Sequence, residues 1–419
     1  MDSLNLLLSH PETKMAIHDL VVLIILVTFV VVFFYIKKNH HQSVSTKSIF
    51  IAIFLFLIIL PLLQQHFNIF QYKPLDEKRY RLTMPPGNML TGLFQENSQY
   101  AHDYEKYYND NYGLRDNFIR LKNQIDYTFF KVSDEVLVGK NNFLFYKNVV
   151  EKEKIYIEQI EEQAFLTSQN SLLKINSQLK SKDILFVVLP IPMKDSLYSE
   201  LYIKRSTQIP SATRFDRLLS FLQSHPEIKT IPAKEVLLET KKNYPVFYKT
   251  DFHWNDIGAH FLSQETINLL ATWTNTKINW DYPPNIKPRS FSGGQNDSLA
   301  LLIPKKEQAF FVEPNRHHQS TVLEPEPPFI YHFISKQENK SKLLPKTVFI
   351  GNSYLLAFLN TGFFDFFSEV LVIHNNNIEK LPPLLPKDTK IIILQIIEID
   401  LLKDYIFKTN FTLSSNAPI

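Results

Sequence analysis

Two segments of the chain carry residue types that can together perform nucleophilic acyl chemistry. The first is KTDFHWNDIGAHF, residues 249–261. Asp251 and His253 stand two apart, just before a stretch that reads as a helix capped by Asn255 or Asp256. In extended chain, residues two apart face the same side, so both side chains can point into one cleft. A carboxylate held against one imidazole nitrogen sets the tautomer and stabilises the imidazolium formed in turnover. The second segment is TVFIGNSYLLAFL, residues 347–359. It reads as a buried strand ending at Gly351 and a helix beginning after Ser353. A serine on such a turn sits at the carboxyl edge of an α/β sheet, where these folds bind ligands. The free N–H groups of the helix start suit an oxyanion. Ser353 is therefore the candidate nucleophile, His253 the base and Asp251 its orienter. Taken singly, each segment has a plain structural reading: an Asp–His pair that is only satisfied, and a serine that only caps a helix.

The elements that must position these residues follow from periodicity. DILFVVLP (183–190), TVFIG (347–351), EVLVIH (369–374) and KIIILQII (390–397) are continuous aliphatic runs, as expected of strands buried on both faces. A polar helix reads at 151–181, ahead of the first run, and helical patterns lie between several of the runs, notably at 255–271 and 354–366. The alternation predicts an α/β fold with a parallel sheet flanked by helices. GKNNFLFY (139–146) reads as a turn and short strand. Leu114, Phe118, Leu121, Ile125 and Phe129 form a stripe at helical spacing, read as core packing. Asn111–Gly113 reads as a turn, with Asn109 or Asp110 available to cap it. Residues 281–346 are rich in proline and polar residues and read as an irregular excursion or small subdomain.

The 419 residues carry 45 Lys+Arg against 42 Asp+Glu, a formal net charge of +3. No basic face or stripe points to nucleic acid. The absence of cysteine removes thiolate nucleophiles, disulfides and Cys-ligated metals. No metal or cofactor is expected: His260, the nearest further ligand to Asp251 and His253, falls on the following helix.

The first 70 residues read as a membrane anchor. Leu20–Ile36 is apolar apart from Thr28, and at ~1.5 Å per residue it spans roughly 26 Å. Ile49–Leu63 is a second, shorter run broken by Pro61. Lys37, Lys38 and Lys47 mark the connecting loop as cytoplasmic. The reading is a hairpin of two transmembrane helices, 20–36 and 49–63, with both ends outside; a buried or interfacial second helix is the alternative. Asp2 and Glu12 ahead of the first run argue against a cleaved signal peptide. Residues 71–100 follow as a linker and 101–419 as the enzymatic domain.

TDFHW before a helix, with GNSY about a hundred residues later, resembles the alginate O-acetyltransferase family with its SGNH-hydrolase-like domain. YYNDNYGLRDNFIRLKN, VLVGKNNFLFY, FVVLPIPMKDSLY and LQIIEIDLL look like further motifs of that family, in its order. The resemblance spans roughly residues 95–405. Asp251 and His253 precede Ser353, a permuted order similar to that family and unlike generic SGNH esterases. Two departures stand out: Asn352 where Asp or Thr is more familiar, and Glu398 followed by Ile399 rather than Arg. No appended carbohydrate-binding module is expected.

The resemblance implies an O-acetyltransferase of alginate or another exopolysaccharide, working through an acyl-serine. It implies a catalytic domain on the periplasmic side of the inner membrane and a polytopic membrane acyltransferase that supplies acetyl groups. Asn352, Tyr354, Trp254 and Arg115 are the candidate substrate contacts, with Lys194 a weaker one. Competing readings are a surface carbohydrate acetylesterase with the same residues, and a non-catalytic glycan-binding scaffold.

Overall fold

The computed structural model describes residues 46–67, 98–147, 162–201 and 213–399, with short gaps in the last stretch, together with residues 74, 75 and 80–82. Two compact units share the chain. One is formed by residues 1–133 and 296–305, the other by 134–295 and 306–419.

The second unit is built on a mixed sheet. Its strands are β1 (Val136–Val138), β2 (Leu144–Tyr146), β3 (Leu185–Ile191), β4 (Lys229–Thr230), β5 (Ile286–Phe291), β6 (Glu307–Val312), β7 (His318–Glu324), β8 (Ile330–Ser335), β9 (Thr347–Gly351), β10 (Glu369–His374) and β11 (Ile391–Ile397). The main sheet runs β4-β3-β11-β9-β10-β8-β7. Its first five strands are parallel, and β8 and β7 join antiparallel. The four aliphatic runs are thus strands, as expected, and they lie side by side at the centre. Their continuity of apolar residues has a direct cause. Val187, Leu189, Phe349, Ile391 and Ile393 enter one hydrophobic cluster. Their neighbours Phe186, Val188, Val348, Ile350 and Ile392 enter another. Alternate side chains of one strand point to opposite faces, so both faces are buried, as parallel strands require.

Two expectations change here. The sheet is mixed rather than parallel, because residues 281–346 are not one excursion. They supply β7 and β8 to the main sheet, and β5 and β6 as a separate antiparallel ribbon. The helix expected at 354–366 is two 3-10 segments, Ser353–Asn360 and Phe363–Phe366, with Gly362 between them at φ 80°. Only a residue tolerant of positive φ can turn the chain there without strain. Of the helix expected at 151–181, the described part is Glu162–Lys180.

In the first unit the second apolar run lies within a helix, Thr46–Phe67. Lys47 at its start and Gln64, Gln65 and His66 at its end bound the apolar part. Among the described residues no helix is long and apolar enough to cross a membrane, so the spanning role expected for 49–63 is not carried by this helix. The first run, 20–36, lies outside the described residues. Gly113 packs onto this helix; a Cβ there would sit 1.9 Å from the Pro61 carbonyl oxygen. The linker is tied down where it is described. Asp110 accepts from Leu82 N at 3.1 Å, and Asp116 accepts from Leu75 N at 2.9 Å and pairs with Arg81. Asp110 is therefore a tether for the linker rather than a cap. The stripe Leu114–Phe129 is core only at its start, where Leu114 is buried. Ile125 and Phe129 are exposed, whereas Asp116 and Arg120 are buried.

Candidate active site

β9 delivers Ser353 to the carboxyl edge of the sheet. Gly351, its last residue, lies against β11, where a Cβ would meet Gln395 Oε1 at 2.5 Å. Gln395 in turn accepts from Asn352 N at 3.2 Å. Asn352 caps the 3-10 turn, its Oδ1 accepting from Tyr354 N at 3.1 Å, and its carbonyl accepts from Leu355 N. Of the N–H groups at 352–355, those of 352, 354 and 355 are thus engaged. That leaves Ser353 N as the donor of this turn available to an oxyanion, fewer than the sequence suggested.

The partner loop is held from several sides. Asn255 caps the helix Asp256–Thr274, accepting from Gly258 N at 3.0 Å. Its own amide donates to Pro245 O at 2.7 Å. Ahead of it the chain bends rather than running extended. The bend lets one oxygen of Asp251 accept both His253 N, at 3.0 Å, and His253 Nδ1, at 2.8 Å. The other oxygen accepts from Gly294 N at 2.9 Å. Gly293 must be glycine for this approach, because a Cβ would lie 2.4 Å from Asp251 Cβ. His253 Nε2 then faces Ser353 Oγ at 2.9 Å. With Nδ1–H donated to Asp251, Nε2 carries the lone pair and can accept the serine proton. The structure therefore brings together the three residues that the sequence separates by a hundred positions.

Burial would raise the Asp251 carboxyl. The hydrogen bond and charge of His253 and the N–H groups of His253 and Gly294 outweigh it, and hold the pKa at about 2. The group is ionised at any pH at which the protein would work.

Lys194 is the residue whose place the sequence misjudged most. It is 1% exposed, so it is no glycan contact. Its Nζ donates to the carbonyls of Tyr248, Lys249 and Asp251. Glu307 holds the same loop through its amides, accepting Lys249 N at 2.9 Å and Thr250 N at 2.7 Å. A cation under the carbonyls and a carboxylate under the N–H groups clamp residues 248–251 from both polarities. Burial pushes the Lys194 ammonium down to about 7, against the opposing pull of Asp195, Asp251 and Glu307. Glu307 carried no local signal in the sequence; it sits on β6, inside the stretch read as irregular.

Tyr354 is also placed otherwise than expected, while Trp254 borders the cleft beside Ser353. Both are buried. Tyr354 donates its hydroxyl to Phe252 O at 2.7 Å, and its ring lies tilted against His253, 5.1 Å between centroids. Trp254 Nε1 donates to Tyr354 O at 3.0 Å. They lock the serine turn to the histidine loop from behind. Asn352 is buried and spent on its cap. Arg115 lies in the other unit and pairs with Asp116 at 3.1 Å. Glu398, flagged by its unusual successor, caps the chain after β3, accepting Met193 N at 2.8 Å and Ser196 Oγ at 2.7 Å.

A cleft of about 230 Å³ opens beside Ser353, lined by Tyr248, Phe291, Leu356, Ala357, Asp256 and Asn360 among others. Asp256 accepts from Val312 N at 3.1 Å and Asn360 Nδ2 at 3.3 Å. Burial raises its pKa to about 6, against those bonds and the charge of Arg289. A carboxyl pushed up by burial in the same cleft as Ser353 is a mark of functional sites. It also predicts a pH-dependent stability. Between about 3.8 and 6 the folded state binds the extra proton, so stability falls as pH rises through that window. Asp256→Asn should raise the melting temperature at pH 7–8 and leave it unchanged near pH 3.5. The full shift is worth roughly 3 kcal/mol. Equal melting temperatures of the two proteins at both pH values would refute the raised pKa. Among the described residues, no group of three His, Cys, Asp or Glu could hold a metal ion.

Residues 136–277 match the family model described as SGNH hydrolase-like domain, acetyltransferase AlgX. The match includes Asp251 and His253 and ends before Ser353. No curated protein matches the chain by sequence. Solved structures with a similar fold include the O-acetyltransferase domain of Pseudomonas putida AlgJ, at 14% identity, covering 66% of this chain and 93% of that one, TM-score 0.41. Bacillus cereus PatB1 is 13% identical, with 59% and 92% covered and a TM-score of 0.44. A DHHW-family protein from Eubacterium siraeum is 13% identical, with 58% and 88% covered and a TM-score of 0.43. The resemblance read from the motifs and the family match agree: over residues 136–277 this chain is similar to the SGNH hydrolase-like domain of the acetyltransferase AlgX.

Proposed function

We propose that the protein is an O-acetyltransferase that carries an acetyl group on Ser353 and passes it to hydroxyls of an extracytoplasmic polysaccharide. The observation that carries this reading is the hydrogen-bonded run Asp251–His253–Ser353, at 2.8 and 2.9 Å, opening on a cleft. His253 takes the proton of Ser353 as its oxygen attacks the acetyl carbonyl. The oxyanion rests on Ser353 N–H, and collapse expels the donor's oxygen or sulfur, which leaves with the proton from His253. A sugar hydroxyl then attacks the acyl-serine, with His253 again as base, and Ser353 is released. Leu356 and Ala357 give the acetyl methyl an apolar wall. Asp256 and Asn360 give the acceptor hydroxyls polar partners.

In this reading the protein is held at the inner membrane through its N-terminal residues, and the second unit works on the periplasmic side. A polytopic membrane acyltransferase delivers acetyl groups from the cytoplasmic pool.

The test uses the full chain in detergent with a chromogenic acetyl ester, with and without oligosaccharides of candidate exopolysaccharides, beside Ser353→Ala. A mass gain on a glycan that requires Ser353 supports the transferase. Acetate release indifferent to every glycan, or loss of acetyl from a pre-acetylated glycan, assigns the same residues to an esterase. No turnover and no acyl-serine in any format would reject both and favour a scaffold.

A further inference from the structure

The first unit carries a surface that the chemistry of the second does not use. After the helix Arg115–Ile125 the chain makes a π-helical turn, Asp126–Phe130, closed by Lys131 at φ 54°. The turn buries Tyr127, 1% exposed, and turns its neighbours out: Phe129 is 74% and Phe130 61% exposed. The two rings lie 6.5 Å apart. Ile303 is 63% exposed, and its N–H donates to Gln124 Oε1 on the same helix. Ile125 and Val132 are exposed beside them. Neighbouring exposed apolar side chains of this size mark an interaction site rather than ordinary surface.

Charge says what the partner is. Lys131 Nζ and Lys305 Nζ both lie 4.5 Å from the centroid of the Tyr127 ring. Burial lowers the pKa of Lys305, and the charge of Lys131 lowers it further. Two like charges converge on one aromatic ring, next to outward-facing phenylalanines. An anionic phosphate complements the charge of these two lysines while the rings leave water. Aromatic residues inserted at the acyl boundary with lysines at headgroup level are the pattern of interfacial membrane binding. The same unit exposes Phe50 and Phe54 on its apolar helix, 68% and 54%.

We infer that the Phe129–Phe130 turn, with Ile303, Lys131 and Lys305, docks on an anionic phospholipid surface, the rings entering the acyl boundary and the lysines meeting lipid phosphates. The inference needs no spanning helix and stands apart from the chemistry proposed for Ser353. It gives the first unit a hold on the bilayer of its own.

The chain has no cysteine, so a single introduced one takes a dye uniquely. Full-length Phe129→Cys and Lys242→Cys, each labelled with an environment-sensitive fluorophore, are reconstituted into vesicles of phosphatidylcholine with and without phosphatidylglycerol. Brominated acyl chains serve as the quencher. Lys242 is an exposed position of the second unit and the control. The Phe129 label should shift to the blue and be quenched several-fold more than the Lys242 label, on anionic vesicles above all. Lys131→Ala with Lys305→Ala should lower the docked-to-undocked ratio on those vesicles roughly 30-fold. Melting curves of the variants check that they fold. A Phe129 label as wet as the Lys242 label overturns the inference, as does docking indifferent to headgroup charge and to the lysines. Shielding that appears without vesicles and grows with protein concentration would assign the surface to contact between copies instead.

Discussion

Asp251→Asn should lower acetyl turnover by roughly 10⁴-fold, and Ser353→Ala should remove the acyl-enzyme altogether. The geometry explains why an isosteric change is so damaging. Asp251 accepts on both oxygens, from His253 N and Nδ1 on one side and Gly294 N on the other. An asparagine has one oxygen and one NH2 group. Whichever way its amide is turned, NH2 faces an N–H donor. If it faces Gly294, a backbone bond of the loop is lost. If it faces His253, the ring must present a lone pair at Nδ1 and hence a proton at Nε2, toward Ser353. That tautomer cannot take the serine proton. Intact-protein mass after exposure to an acetyl donor reads the acyl-serine directly, and steady-state rates read the rest. Near-normal turnover in Asp251→Asn and His253→Ala would show that the three residues are a structural cluster and not the reaction centre. The carboxylate also carries a stability signature. Its folded pKa of about 2 lies below the ordinary 3.8. The stabilisation is present above pH 3.8 and lost as pH falls through about 2, roughly 2 kcal/mol in all.

Lys194→Met should cost activity far more than stability. Two large terms oppose each other in the fold. The lowered pKa means that holding the ammonium in this site costs on the order of 5 kcal/mol relative to water. Its removal leaves three loop carbonyls without that donor, each worth about 1–3 kcal/mol when buried and unpaired. These nearly cancel, so the melting temperature should move by only a few degrees. Activity has no such compensation. Tyr248, Lys249 and Asp251 lose the group that fixes their carbonyls, and the Asp251 side chain shifts with its backbone. A displacement near 1 Å at a reacting constellation lowers rate by about 10². The expected result is a folded enzyme with kcat down roughly a hundredfold, measured below its melting temperature. Unchanged kcat would reduce Lys194 to packing. Glu307→Gln tests the other side of the clamp and should show a smaller loss, since the amide oxygen can still accept one N–H.

The sequence by itself determined the four central strands, the helix after Asn255 and the three residues of the candidate site. The reason is that these signals are local. A strand buried on both faces must be continuously apolar, a capped helix start needs its Asn, and a serine between a strand end and a helical turn has a characteristic neighbourhood. The motif order added a resemblance to a family, with which the match over residues 136–277 agrees.

Only the tertiary structure decided what closes over those residues. β7 and β8 extend the sheet antiparallel, a choice made by edge pairing and not by the composition of residues 281–346. Tyr354 and Trp254 look like cleft aromatics from their neighbours, yet both are buried and of the two Trp254 alone borders the cleft, because the serine turn and the histidine loop pack against each other through them. Lys194 reads as a surface charge, since lysine usually is one. Three carbonyls converging from a loop more than fifty residues away make it an interior tie. Glu307 and Gly293 position Asp251 across similar distances in the chain. The orienting group of the site was visible in two letters of sequence; what holds that group still is spread over three distant segments, and no periodicity records contacts that form only when those segments meet.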